Sequence, residues 1–365
     1  MPNVTSVISR AIRERLDWHR IGIAISLLIV AIAGVTLFRR LQNIEIDKVV
    51  AALLAKPLRE ILIAGAFVAI AYFALSFYDF FALRTIGRNA VPYRVAALTS
   101  FTSYTIGHNL GAVVFTAGLI RLRIYSRWAL GLADIAKIAF ITGLTFWLGN
   151  ACVLGGGMAY APAAASAVNQ FPVWVNRMIG LSALTIIVGY LIWLAQRPRV
   201  IGRANWQIVL PNPRSTLVQI GIGALDLTAA AIAMYTLLPA HPAIDFVTLL
   251  VVFVTAILLG FASHAPGSLG VIEATMLVGL PQLAKEELLA SVLLFRVLYF
   301  LVPLFLAVAL LGARELSTIA RSAAGSSNRS ERQLRGASEK PTACRVAARC
   351  AWPRRPDALG HSDRS

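Results

Sequence analysis

Residues 246–280 are apolar almost throughout, and the one place where they are not decides what the chain can become. There the sequence reads Ser-His-Ala-Pro-Gly-Ser-Leu-Gly-Val-Ile-Glu (263–273). A helix that crosses a bilayer takes about 20 residues, so the stretch is too long for one crossing, and Pro266, Gly267 and Gly270 interrupt it as helix. Backbone that leaves the helix at membrane depth must be buried in protein or line a cavity, and a carboxylate there marks a site by default. The feature points to a membrane protein with an internal polar site.

The rest of the chain has the same character. Further apolar runs cover 21–38, 61–83, 95–120, 129–153, 178–195, 216–238 and 288–311. The sequence is 58% hydrophobic and 14% charged, with a mean hydropathy of +0.72, which leaves no room for a soluble domain of useful size. Of the formal charge of +17, much lies in residues 313–365, where 11 Lys/Arg face 5 Asp/Glu in a non-periodic, Ser- and Arg-rich tail expected to be disordered. In a membrane protein such charge anchors cytoplasmic segments and attracts anionic lipid, and nucleic acid is not an expected partner. Cys152, Cys344 and Cys350 form neither a zinc pattern nor a disulfide framework, and no cofactor or metal is expected.

Two runs depart from simple crossings. Run 95–120 has Arg94 before it and Arg121, Arg123 and Arg127 after it, and its middle, Tyr-Thr-Ile-Gly-His-Asn-Leu-Gly (104–111), mixes polar groups with glycine. Both of its ends read as cytoplasmic. Both ends of 246–280 read as external, since Lys285 is the single basic residue in its flanks, 239–245 and 281–287. If each run is a hairpin, the expected fold is an all-α polytopic membrane protein built of two inverted repeats of helix, helix, broken hairpin and helix, at 21–153 and 178–311. The domain plan is then a basic cytoplasmic N-terminus (1–20), a transmembrane domain (21–312) and the tail (313–365), with both termini cytoplasmic. Basic residues before the tail number 14 on the expected inner side and 7 outside, the sign the positive-inside rule requires. Segment 39–60, with an amphipathic pattern, is expected to lie on the outer surface.

Several blocks carry a family resemblance: Tyr-Asp-Phe-Phe (78–81), Gly-His-Asn-Leu-Gly (107–111), Gly-Leu-Ile-Arg-Leu-Arg-Ile-Tyr-Ser-Arg (118–127), Leu-Thr-Phe-Trp-Leu-Gly (144–149), the 263–273 segment and Arg-Val-Leu-Tyr-Phe-Leu-Val-Pro (296–303). Over roughly 20–312 these resemble the membrane domain of the MprF family, the lysylphosphatidylglycerol synthase transmembrane region. The resemblance implies a flippase that moves aminoacylated phosphatidylglycerol between leaflets, made in that family by a separate soluble domain that has no counterpart in these residues. It also implies that Asp79, Arg121 and Glu273 match charged positions of the lipid pathway. Ser268 departs from the pattern, which more often has a second glycine there.

The residues support that set on physical grounds. Asp79 lies inside a span and needs a partner or a wet cavity, either as a site or as a structural ion pair. Glu273 opens a half-helix, where it can cap the helix or bind. Arg121 suits a lipid phosphate at the cytoplasmic mouth. Asp226 is lone in its span, and Arg296 is placed to pair with Glu273 or Asp226. His108 and His264 occupy equivalent places in the two broken segments, where they satisfy backbone or serve a proton-linked step. Asp134 and Lys137, three apart, are expected to neutralise each other. The expected function is a non-enzymatic phospholipid transporter of the bacterial inner membrane, acting on anionic or aminoacylated lipid. A separately encoded synthase and a second copy of the chain are the candidate protein partners. The alternatives are a membrane component of a lipid aminoacyltransferase system and a non-transporting scaffold.

Overall fold

Long helices begin and end where the sequence places caps and breakers. In the computed structural model, which describes residues 46–110, 113–197, 199–203 and 206–314, a short helix α1 (Ile46–Leu54) leads through Pro57 into α2 (Leu58–Thr85). The expected first span, 21–38, and the tail from 315 onward lie outside the described residues. With 28 residues at 1.5 Å each, α2 is about 42 Å long, enough to cross a bilayer with tilt. It stops at Gly87, whose φ of +77° lets Arg88 N–H turn back to Leu83 O at 2.9 Å. A hairpin follows, α3 (Tyr93–Leu110) and α4 (Val113–Tyr125), then α5 (Leu132–Tyr160), a short α6 (Pro162–Asn169) and α7 (Val173–Gln196).

Between the apolar runs 178–195 and 216–238, a two-stranded antiparallel hairpin forms from β1 (Val200–Arg203) and β2 (Trp206–Val209), pairing Ile201 with Ile208. Asn212 then caps α8 (Pro213–Thr236) by accepting Ser215 N–H at 2.8 Å, with Pro213 in the first turn. Asp245 caps α9 (Phe246–Ser263) through Thr248 N–H at 3.1 Å, and α9 ends on His264 at φ +53°. After the turn Pro266–Ser268 come α10 (Val271–Gly279) and α11 (Lys285–Arg296), the last running on through a π-helical turn (Val297–Leu301) to Arg314. Six of the described helices are long and apolar enough to span a membrane: α2, α5, α7, α8, α9 and the extended α11. The fold is an all-α polytopic membrane fold.

The chain divides after Leu310 into two units, and the packing that follows lies within the first. Its core joins α2, α8, α9, α10 and α11 around fully buried Phe253, Phe295, Leu249, Met234 and Met276. Lipid offers no hydrophobic drive for helix association, so close approach and buried hydrogen bonds must hold such a bundle. At the α5–α8 crossing Gly149 meets Gly223 so closely that a Cβ on Gly149 would stand 2.7 Å from Gly223 Cα. α3 buries Thr99, Ser100, Thr102, Ser103 and Thr105. Three of these hydroxyls have identified acceptors: Thr99 donates to Val95 O and Thr102 to Leu98 O within the helix, and Ser100 crosses to Leu75 O on α2 at 2.7 Å.

The π turn in α11 also has a chemical cause. Pro303 lacks an N–H and cannot serve the carbonyl of Tyr299, four residues earlier. Tyr72 of α2 supplies the missing donor, its hydroxyl 2.9 Å from Tyr299 O, and Asn109 Nδ2 of α3 reaches Phe300 O at 3.3 Å.

Candidate functional site

The spans bury three carboxylates among the described residues, Asp79, Asp226 and Glu273, and their surroundings differ. Asp79, on α2, is fully buried and faces Arg121 of α4. Arg121 Nη2 donates to Oδ1 at 2.7 Å and Nε to Oδ2 at 3.0 Å, a bidentate pair completed by Tyr125 Oη at 3.0 Å from Oδ2. Such a fork-to-carboxylate match is the strongest ordinary ion pair. The charge of Arg121 is therefore met inside the protein.

Glu273 sits in the first turn of α10 and accepts Gly270 N–H at 2.9 Å, so it does cap its helix. It also pairs with Arg296 of α11, through Nε to Oε1 and through Nη2 to Oε2 at 2.9 Å. The remaining donors of Arg296 go to backbone: Nη1 to Gly267 O at 2.7 Å and Nη2 to Ser268 O at 3.0 Å. One guanidinium thus neutralises a carboxylate and satisfies two carbonyls of the non-helical turn, which is what irregular backbone at membrane depth requires. Of the two partners expected for Arg296, the structure brings it to Glu273.

Asp226, on α8, has no such cation among the described residues. Tyr78 Oη donates to its Oδ2 at 3.2 Å, while Oδ1 has no hydrogen-bond partner among the described residues, although only 5% of the residue is exposed. Leaving a buried polar atom bare costs about 1–3 kcal/mol, and more for a charged one. The carboxylate lines a cavity of about 140 Å³. Both hairpins contribute to its wall: Tyr104 and His108 from α3, Phe115 from α4, Phe261 from α9, and His264 and Ser268 from the second break. The two histidines, remote in sequence, meet one cavity. His264 also places Nδ1 3.0 Å from Ala262 O.

Each ion pair backs a wall of this cavity. The Arg121 guanidinium lies 5.2 Å from the centre of the Tyr104 ring, and that of Arg296 lies 5.6 Å from Phe300, and both rings line the space. The seven residues singled out in sequence thus fall into three groups: Asp79 with Arg121, Glu273 with Arg296, and Asp226 with His108 and His264 at the cavity. Sequence reasoning passed over Tyr78, Tyr104 and Tyr299, which give the cavity its hydroxyl-bearing walls; Tyr78, directly before Asp79, was the available signal. Asp134 pairs with Arg88, at 2.7 Å, and not with Lys137 as expected: Arg88, in the loop after α2, brings a guanidinium to the carboxylate, whereas a three-residue helical spacing supplies only a weak pair. The described residues hold no group of three or more His, Cys, Asp or Glu placed to bind a metal ion.

No family model matches the chain. It is 31% identical over 257 residues to "Uncharacterized protein slr0712" of Synechocystis sp. (strain ATCC 27184 / PCC 6803 / Kazusa), covering 70% of this chain and 80% of that one. It is 27% identical over 252 residues to the "Inner membrane protein YbhN" of Escherichia coli (strain K12), covering 68% and 77%. A shorter match of 105 residues at 30% identity joins it to the "Phosphatidylglycerol lysyltransferase" of Staphylococcus aureus (strain COL), 27% of this chain and 12% of the enzyme. The likeness to the lysyltransferase is thus narrower than the 20–312 expected from the motifs.

Proposed function

We propose that this chain, which belongs to the family of the Synechocystis protein slr0712, moves phospholipids with a cationic headgroup, such as an aminoacylated phosphatidylglycerol, between the leaflets of a bacterial inner membrane. The observation that carries this reading is Asp226: a buried carboxylate with a bare oxygen, facing a cavity shared by the two hairpins. A carboxylate held without a cation in an apolar wall is poised for a mobile ammonium. In this reading the cavity of about 140 Å³ takes the headgroup while the acyl chains stay in lipid. Further aromatic rings line the cavity, Phe115, Phe146 and Phe261 among them, a residue type that suits a cation. The names of the E. coli and staphylococcal relatives support the location and the lipid class.

In this mechanism the halves 21–153 and 178–311 are inverted repeats that rock about the cavity. Asp79–Arg121 and Glu273–Arg296 hold the hairpins' shape while Asp226 exchanges its ligand. The test is transport by purified protein in liposomes, with lysyl-phosphatidylglycerol counted in each leaflet by an amine-reactive membrane-impermeant dye. Asp226→Asn keeps the shape and removes the charge. Losing one charge-assisted hydrogen bond, worth about 1.5–3 kcal/mol, should slow transport about 10- to 150-fold at sub-saturating lipid, with no fall in melting temperature. Transport at the wild-type rate in Asp226→Asn would remove the carboxylate from the pathway.

A further inference from the structure

A second pocket, of about 270 Å³, lies away from Asp226, where the end of α2 meets the start of α8 beside the β-hairpin. Its chemistry is unlike that of the central cavity. Asn212, Ser215 and Gln219 fall on one stripe of α8 at spacings of three and four, and Arg84 closes the other side from α2. Phe81 and Leu210 complete the wall, and no acidic residue lines it. Arg84 is exposed, lies 5.0 Å from the centre of the Phe80 ring, and makes no ion pair among the described residues.

Gln219 fixes what else the pocket can hold. Only 1% of it is exposed. Its Nε2 donates to Thr145 Oγ1 at 3.0 Å, and the Thr145 hydroxyl hydrogen is already committed to Ile141 O at 3.0 Å. Thr145 can therefore only accept from Gln219, which sets the amide orientation. Gln219 Oε1 is left buried and without a partner among the described residues. A bare buried acceptor calls for a donor, whereas Arg84 calls for an anion.

We infer that this pocket binds a phosphate ester carrying a neighbouring hydroxyl or amine, as in a glycerol- or ethanolamine-type phospholipid headgroup or its soluble counterpart. Arg84 takes the phosphate, with Ser215 Oγ and Asn212 Nδ2 beside it as further donors. Gln219 Oε1 accepts from the hydroxyl or amine. A choline headgroup satisfies Arg84 but has no N–H or O–H for Gln219, so the pocket distinguishes these headgroups by one hydrogen bond. The inference stands whether or not the central cavity transports lipid.

The full chain, purified in detergent, is titrated with dioleoyl-phosphatidylglycerol and dioleoyl-phosphatidylcholine, and bound lipid is counted by native mass spectrometry. Glycerol 3-phosphate and inorganic phosphate are added as competitors. The expected result is a preference of about tenfold or more for the glycerol headgroup, the worth of one well-made buried hydrogen bond. Arg84→Gln, an exposed change that leaves the fold alone, should weaken glycerol-lipid binding by a similar factor. Gln219→Leu should erase the preference while leaving the choline lipid as it was. Displacement by glycerol 3-phosphate but not by inorganic phosphate identifies a soluble ester as a ligand too; its failure to compete assigns the site to lipid. Equal retention of the two lipids by the wild type, with no binding of glycerol 3-phosphate, overturns the inference. So does a preference that survives Gln219→Leu, which would place it elsewhere in the protein.

Discussion

The two broken hairpins reach one cavity by different routes. In the first, α3 runs as unbroken helix through Gly107 and His108, and the chain reverses only after Leu110. Its arginine, Arg121, ties one helix to another, and every bond of the pair to Asp79 is between side chains. In the second, residues 264–270 abandon the helix, with left-handed backbone at His264, Gly267, Ser268 and Gly270. Its arginine, Arg296, bonds that backbone as well as Glu273. The same residue types thus do unequal work. One pair aligns two helices, whereas the other is also the hydrogen-bond partner that lets irregular chain exist at membrane depth.

The comparison breaks first at Arg296. Arg296→Gln strands Glu273 and uncovers the carbonyls of Gly267 and Ser268, and removing one partner of a buried pair already costs about 3–5 kcal/mol. The largest fall in folded yield and melting temperature in detergent is expected here. The double variant with Glu273→Gln should recover the charge penalty and not the loss from the bare carbonyls. Arg121→Gln comes next, at about 3 kcal/mol, since Tyr125 still serves Asp79; here Asp79→Asn should restore nearly all of the loss, because no backbone depends on the arginine. Equal rescue in the two double variants would erase the distinction between the hairpins.

Smaller effects sharpen it. Gly260 of α9 lies under the turn, and a Cβ there would stand 2.6 Å from Ser268 Cβ. Gly260→Ala should therefore cost about 1–3 kcal/mol, with part of it returned by Ser268→Gly. Ser268 at φ +51° holds a left-handed conformation that L-residues disfavour by about 1–2 kcal/mol. Ser268→Gly alone should stabilise by about 0.5–1 kcal/mol once the greater freedom of unfolded glycine is subtracted, readable as a small rise in melting temperature. Among the described residues of the first hairpin, 93–110 and 113–125, none has a positive φ, so no comparable gain is available there.

Much of the fold was legible because membrane helices announce themselves by length and apolarity, and the second break because Pro266, Gly267 and Gly270 cannot continue one. The first break was expected within 104–111, where polar residues crowd; α3 stays helical to Leu110, near the end of that stretch, where a side chain such as Asn109 returns its hydrogen bond to its own helix. Pairing of Arg296 with Glu273 was one of two options that spacing allowed. The convergence of Asp226, His108 and His264 was not legible as a site, since it depends on which faces of three helices meet. Tyr78, Tyr104 and Gln219 look in sequence like belt or packing residues. Gln219 and Asp226 stand out only in the structure, where each lines a pocket and keeps a buried oxygen without a partner among the described residues.

The widened turn at Val297–Leu301 changes what α11 is. Before it, Leu288, Val292 and Phe295 are enclosed by protein; after it, Phe305, Leu306 and Val308 stand open on the surface of the chain. A residue inserted into a helical turn rotates everything beyond it by about 100°, so one continuous rod presents two unrelated faces. At the junction the carbonyl of Tyr299 is held by the hydroxyl of Tyr72 and by no proline N–H. Twisting the outer segment against the inner one at that carbonyl would break a side-chain hydrogen bond of about 1 kcal/mol where an ordinary turn would lose a backbone one. Within this helix, the turn whose carbonyl leans on a side chain from another helix lies in the wall of the cavity, which Tyr299 and Phe300 both line.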